Sequence, residues 1–416
     1  MESYNEKSDI LITLIGTSPM PNLISLATRL KKGGSVYLIF SKETEYICEK
    51  LKKKWNTNYI TVKLEKINNV YNPKLVYENI SDIFIKISKE DIKDKVIELN
   101  FTGGTKVMSS ISYVQFIKYF RKKAKSVLTT YLDGEKFQMI IRDVNKNKDY
   151  INKFNSKDGI FPISIEDIGE LHTKIEKVFE CKHFESTVIC PVNYALYENL
   201  FITLDDKRKF RKLLKVFYKL RYDEANSLLE YNKKIKSGEI CFDEYKKFED
   251  IINEYKKHYG KDEKYAIRKL KRDLNGDWFE YGVFRYLNQL KQQGDIDEVV
   301  NSLRRKKSSE EDDELEIDLV VLKDYRIYMI SLTTSNQKKL SEEKLYEVKL
   351  RAEQFAGTEV NIGLISFADN RESLISKIKN IWDTDDRRYF VCTWDELKTL
   401  EEDLKKWICD GGNSNE

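Results

Sequence analysis

Ile97-Glu98-Leu99-Asn100-Phe101-Thr102-Gly103-Gly104-Thr105-Lys106 carries an apolar strand into two glycines, two threonines and a lysine, just where a helical pattern begins. That is the build of an anion cradle. Gly103 and Gly104 let backbone N–H groups come close to a bound group, and the first turn of the following helix offers unpaired N–H groups and a positive dipole end. Thr105 is placed to cap that helix and Lys106 adds a full charge. Val107, Ile111, Val114 and Ile117 recur at helical spacing and are expected to form its core face.

A second loop has the same shape. Gly16-Thr17-Ser18-Pro19-Met20-Pro21-Asn22 follows the apolar run Ile10 to Ile15 and precedes a helical pattern through Leu23, Leu26, Ala27 and Leu30. Strand-like runs at Val36 to Phe40, Tyr59 to Leu64, Val96 to Phe101 and Ser126 to Tyr131 alternate with helical patterns near 44 to 55, 73 to 88 and 105 to 123. This βαβα series predicts a mostly parallel, doubly wound sheet. In such a sheet the first and fourth strands are neighbours where strand order reverses, and ligands bind beyond their carboxyl ends. Gly16, Thr17, Ser18, Asn22, Thr102, Gly103, Gly104, Thr105 and Lys106 are therefore expected around one crevice. No G-x-G-x-x-G opens the first helix and no Walker A motif occurs, which disfavours ordinary NAD and ATP sites.

These two loops resemble those of the CRISPR-associated Rossmann-fold family, the CARF domains, whose Gly-Thr-Ser-Pro and Thr-Gly-Gly-Thr-Lys types match residues 16 to 19 and 102 to 106. The resemblance covers about residues 8 to 145. It implies a homodimer in which two crevices meet around a cyclic oligoadenylate, the tetra-adenylate or the hexa-adenylate, made by a type III CRISPR complex. A ring of phosphates suits a two-fold pair of anion cradles.

With 416 residues the chain has room for two or three domains. Its 73 Lys and Arg face 69 Asp and Glu, so the small net positive charge predicts no general polyelectrolyte binding. Basic runs at Arg208 to Lys215 and Lys264 to Arg272 are expected to be mostly solvated. No apolar run reaches the ~18 residues of a membrane span, and Met1 to Ser8 lacks a signal-peptide core, so a soluble, cytoplasmic protein is expected. The six cysteines show no C-x-x-C pairing, and Cys181, His183 and Cys190 lack a fourth zinc ligand. A HEPN ribonuclease, a frequent effector of CARF proteins, needs an Arg shortly before a His; none of His172, His183 and His258 has one at that spacing.

The expected division is a CARF domain over 1–150, a helical connecting region over 151–264 and a third domain over 265–416. Ser164 and Asp167 suit a helix start, and helical stripes run through Leu213, Val216, Phe217 and Leu220 and through Tyr245, Phe248, Ile251 and Tyr255. The last third reads as helix, three strands, helix, strand: about 264 to 292, Glu298 to Leu303, Glu316 to Leu322, Arg326 to Leu332, 341 to 356 and Val360 to Ser366, with further helices after it.

That αβββαβ order resembles the restriction-endonuclease-like fold, and Glu280 and Asp318 resemble the helix glutamate and second-strand aspartate of PD-(D/E)xK nucleases, an effector fused to CARF domains in one branch of the family. Strand alternation puts Glu316 on the face of Asp318. Where these enzymes carry an acid and a lysine on the next strand, this chain has Ser331 and Thr333. The resemblance implies Mg²⁺ or Mn²⁺ held by Glu280, Asp318 and Glu316, with Lys338, Lys339 or Lys344 standing in for the lost lysine. Three functions stay open: a ring-activated nuclease cutting single-stranded RNA or DNA, a ring-gated binder that does not cut, and an enzyme that degrades its own ring ligand.

Overall fold

The computed structural model describes residues 2–57, 60–173, 177–180, 276–307, 315–382 and 386–410. The two basic runs, the Cys181–His183–Cys190 group and the helical stripes from Leu213 to Tyr255 fall outside these residues.

The first layer follows the expected alternation: β1 (Ser8–Leu14), α1 (Met20–Arg29), β2 (Leu30–Phe40), α2 (Glu45–Trp55), β3 (Thr61–Lys66), α3 (Pro73–Ser88), β4 (Val96–Asn100), α4 (Lys106–Phe120) and β5 (Ser126–Asp133). These strands lie parallel in the order β3-β2-β1-β4-β5, and the antiparallel β6 (Gln138–Asp143) and β7 (Lys148–Lys153) extend the sheet beyond β5. Every residue of β4 is buried and β1 has one half-buried position, the continuous burial that parallel strands between two helical layers require. β1 and β4 are neighbours, with Ile10 beside Ile97 and Thr13 beside Asn100, which makes their carboxyl ends the switch point.

One local expectation fails at Val114, since Val107, Ile111 and Ile117 do pack on the core, and one hairpin was not foreseen. α4 turns Met108, Ser112, Gln115, Phe116 and Phe120 inward, while Val114 is 65% exposed. The helix carries apolar residues around much of its circumference, so periodicity alone cannot choose the buried side. The β6–β7 hairpin escaped the sequence reading because β7, Lys-Asp-Tyr-Ile-Asn-Lys, buries only Tyr150 and has little apolar alternation.

The last third has the expected αβββαβ order: α6 (Trp278–Gln293), β9 (Glu298–Lys307), β10 (Leu315–Lys323), β11 (Arg326–Thr333), α7 (Lys338–Ala356) and β12 (Asn361–Ser366), then α8 (Arg371–Trp382), β13 (Tyr389–Cys392) and α9 (Leu400–Cys409). β9, β10 and β11 form an antiparallel meander, and β12 and β13 join parallel to β11. The connecting region is not purely helical. Its residues Lys177–Glu180 form β8, an edge strand paired antiparallel to β9 in this second sheet. α5 (Ile165–Leu171) starts as expected: Ser164 Oγ accepts from the Asp167 amide at 3.2 Å and Asp167 accepts from the Ser164 amide at 2.8 Å.

The two sheets share a core. Leu23 and Leu26 of α1, Ile47 and Leu51 of α2, Ile168 of α5, Met329 of β11, and Val348 and Phe355 of α7 belong to one apolar cluster. α3 and α4 cover the opposite face of the first sheet in a separate cluster. In the second sheet, Trp278 and Phe279 of α6 pack with Phe367, and Trp407 of α9 packs on Tyr328, on the face away from α7. Burial of apolar surface at the seam fixes how the ligand loops of the first sheet face the second domain.

Candidate functional site

The loops after β1 and β4 touch, and only glycines permit it. A Cβ on Gly103 would collide with the Leu14 carbonyl oxygen, and one on Gly16 would sit 3.1 Å from the Gly104 amide nitrogen. Gly104 also takes φ +78°, a conformation costly for a side-chain-bearing residue. Thr105 caps α4: its hydroxyl accepts from the Met108 amide at 3.2 Å and donates to the Val70 carbonyl at 3.0 Å. The amides of Lys106 and Val107 lie in the first turn, where helix geometry supplies no acceptor. Lys106 and Thr17 are both exposed. Ser109 Oγ donates to the Gly103 carbonyl at 2.9 Å and fixes the second loop to its helix.

Three of the nine expected crevice residues do other work. Asn22 is fully buried and donates to Thr13 Oγ1 at 2.7 Å and the Leu14 carbonyl at 2.8 Å, so it anchors the first loop from beneath. The Thr102 hydroxyl accepts from the Leu132 amide at 2.8 Å, tying the second loop to β5. Ser18 turns toward the seam: its hydroxyl is buried, and a Cβ on Gly357 at the end of α7 would lie 3.5 Å from Ser18 Oγ and 3.3 Å from His172 Nε2. Gly357 itself has φ +81°.

The sequence reading passed over Asn100. It is fully buried, accepts from the Thr102 amide at 2.9 Å and donates to Ser25, so one side chain ties the second loop to α1. Its signal was a polar amide closing an apolar strand.

His172 follows α5 and directs Nδ1 at the Ile168 carbonyl, 2.9 Å away. Burial, opposed by that hydrogen bond and reinforced by the Arg305 charge, pushes its pKa down to about 4. The ring is neutral at neutral pH.

In the second sheet Asp318 is held across the β10–β11 pair. Its Oδ2 accepts from Ser331 Oγ at 2.9 Å and from the Leu332 amide at 2.7 Å. Burial raises its carboxyl above the ordinary carboxylate range, against the Leu332 amide, the Lys344 charge and the Ser331 hydroxyl, which pull it down. Lys344 on α7 is near enough for its charge to act on Asp318 and is itself paired with Glu347 at 3.2 Å, whereas Lys338 and Lys339 begin that helix, exposed, in pairs with Glu342 and Glu343. Thr333 lies on the strand face of Ser331 and accepts from the Ser335 amide at 3.2 Å.

Glu316 is engaged by Arg304, whose guanidinium donates to Oε1 at 2.8 and 3.2 Å across the β9–β10 pair. Glu280 lies in the first turn of α6, in the layer across the sheet from α7. Among the described residues no group of three or more His, Cys, Asp or Glu side chains is placed to hold a metal ion. Of the three expected ligands, Asp318 alone is left to offer an oxygen to a hard cation, since Glu316 is held by Arg304 and Glu280 lies across the sheet.

Among the described residues no helix is long and apolar enough to cross a membrane. No curated protein matches the sequence. Among solved structures, protein VC1899 from Vibrio cholerae superposes with a TM-score of 0.67 at 15% identity, covering 98% of this chain and 99% of that one. Can2 from Sulfobacillus thermosulfidooxidans, in complex with cyclic tetra-adenylate, gives 0.63 at 14% identity over 96% and 97%. A type III CRISPR defence DNA nuclease activated by cyclic oligoadenylate gives 0.50 at 14% identity over 88% of this chain and 47% of that one. At these identities the likeness is one of fold. Residues 10–159, which hold the first sheet and its helices, match the family described as the Card1 CARF domain.

Proposed function

We propose that the chain is a cyclic-oligoadenylate sensor of CRISPR defence whose second domain is a metal-dependent nuclease. The observation that supports the sensing half is the close approach of Gly16 to Gly103 and Gly104, which joins the loop that carries Thr17 to the loop that carries Lys106. The ring phosphates meet backbone amides of the α4 first turn, and the Lys106 ammonium supplies a charge-assisted bond. Cyclic tetra-adenylate is the ring proposed, in keeping with the Can2 complex.

A homodimer completes the site. Beside the crevice, Phe101, Tyr113, Val114, Tyr131 and Ile140 line an open cavity of about 570 Å³. A second copy of this surface covers those groups and brings two cradles to opposite sides of one ring.

In the second domain Asp318 would hold a divalent cation that keeps several waters, and such a cation would supply Lewis-acid polarisation of a scissile phosphate. Ser331 and the Leu332 amide fix which Asp318 oxygen remains for it, and Lys344 offers positive charge to developing phosphoryl charge. Ser18 and His172 both lie close to Gly357 at the end of α7, and this proximity is the proposed route by which the first loop acts on that helix.

One observation favours a second reading, a gated binder: Glu316 is taken by Arg304, and the third-strand acid and lysine are replaced by Ser331 and Thr333. Labelled single-stranded RNA, single-stranded DNA and supercoiled plasmid, each with and without the ring in Mg²⁺ or Mn²⁺, separate the two. Cutting that needs ring and metal supports the nuclease. Ring-dependent nucleic-acid binding without cutting supports the binder.

A further inference from the structure

A cleft of about 230 Å³ opens at the seam between the CARF domain and the second domain, away from Asp318. One wall is the β5–β6 turn. Asp133 holds that turn by accepting from the amides of Glu135 and Lys136, both at 3.1 Å, and from Gln138 Nε2 at 3.2 Å. The opposite wall is built from the start of β11, the segment before β12 and the turn before β13.

The walls interlock. A Cβ on Gly134 would strike the Glu359 carboxylate, Arg326 donates to the Lys136 carbonyl at 3.1 Å, and its guanidinium lies 4.8 Å from the centre of the Phe137 ring. Arg388 donates to the Thr358 carbonyl at 2.8 Å. Charge converges on the cleft: Lys136, Lys153, Arg326, Arg387 and Arg388 line it, against Glu135 and Glu359. A chain whose charges nearly cancel overall has gathered an excess of positive charge at one preorganised point.

The cleft is separate from the nuclease-like site. It sits at the amino end of β11, whereas Ser331 and Thr333 lie toward the carboxyl end, roughly 20 Å along the strand at ordinary strand rise. Its volume is below the roughly 300–1,000 Å³ of whole small-molecule pockets, so it suits a run of phosphates and leaves a base or sugar outside.

We infer that this interdomain cleft is a second anion site, which takes consecutive phosphate groups of a nucleic-acid backbone or of a free polyphosphate. Arginine forks and lysine ammonium groups on both walls would clasp such a group and hold the two domains in one arrangement.

The test is titration calorimetry of the full-length chain with tripolyphosphate and with a single-stranded oligonucleotide, without the ring and in chelator. Tripolyphosphate is expected to bind, and Lys136→Gln with Lys153→Gln to weaken it about tenfold while thermal unfolding stays unchanged. Lys106→Ala is expected to leave it intact. An oligonucleotide that competes, with the same sensitivity to the double variant, identifies a backbone as the source; binding confined to tripolyphosphate identifies a free polyphosphate. Absence of binding by either anion overturns the inference. So does binding indifferent to the double variant, or binding lost in Lys106→Ala, which would assign the phosphates to the ring crevice. Neither ring binding nor cleavage enters this measurement, so its failure is distinct from failure of the proposed function.

Discussion

Asp318 carries two opposed demands, burial that favours its protonated form and two donors that favour its anion, with burial the stronger. A carboxyl raised in the fold binds more protons folded than unfolded between the two pKa values, so its contribution to stability falls as pH rises through that window. Asp318→Asn keeps an acceptor for Ser331 and Leu332 without the charge. It is expected to preserve or raise the melting temperature by a few degrees while abolishing ring-stimulated cleavage, as calorimetry and a plasmid assay check. His172 behaves oppositely: lowered to about 4, it binds fewer protons folded than unfolded, and stability contributed at higher pH is lost as pH falls from about 6.5 toward 4. His172→Gln is expected to flatten that part of a melting-temperature profile. At this scale the sequence showed which residues cluster, because glycines, threonines and a lysine after a strand have few other uses. It did not show which way they point: Asn22 and Ser18 differ from Thr17 only in orientation, which Thr13, Leu14 and Gly357 decide from elsewhere in the chain.

Elements were legible where burial imposes a pattern. β1, β4 and β10 are apolar runs because both of their faces are covered, whereas β7 and β8 lie at sheet edges, and α4 is apolar on more than one side. The alternation that marks a strand also concealed one charge within β4. Glu98 is fully buried, and Arg29 at the end of α1 donates to its carboxylate through Nε at 3.1 Å and Nη2 at 3.0 Å. Removing one partner leaves the other as an uncompensated buried charge. Glu98→Ala is expected to cost about 3–5 kcal/mol in denaturant unfolding, and Arg29→Ala a similar amount, with the double change costing less than their sum. Equal additive losses would mean that the pair is not coupled.

For the whole molecule, the seam matters more than either domain. Sequence order foretold two sheets, since βαβα and αβββαβ are compact local programmes. It contained no sign that α1, α2, α5 and α7 would share one core, because contacts between distant segments leave no periodicity. The same blindness applies to the surface proposed for a second copy: the apolar surface around Val114 reads in sequence like any core stripe. Light scattering is expected to give a dimer, and Val114→Glu to shift it toward monomer and weaken ring binding with it. The central claim is that Lys106 and the paired glycine loops of two chains hold one cyclic oligoadenylate. Its most direct test is calorimetric titration of the intact protein with cyclic tetra-adenylate, beside Lys106→Ala. The account predicts one ring per two chains and, since the variant loses one charge-assisted bond worth about 1.5–3 kcal/mol from each chain, affinity about 10²- to 10⁴-fold weaker. No heat of binding with either the tetra-adenylate or the hexa-adenylate, or binding indifferent to Lys106→Ala, would contradict it.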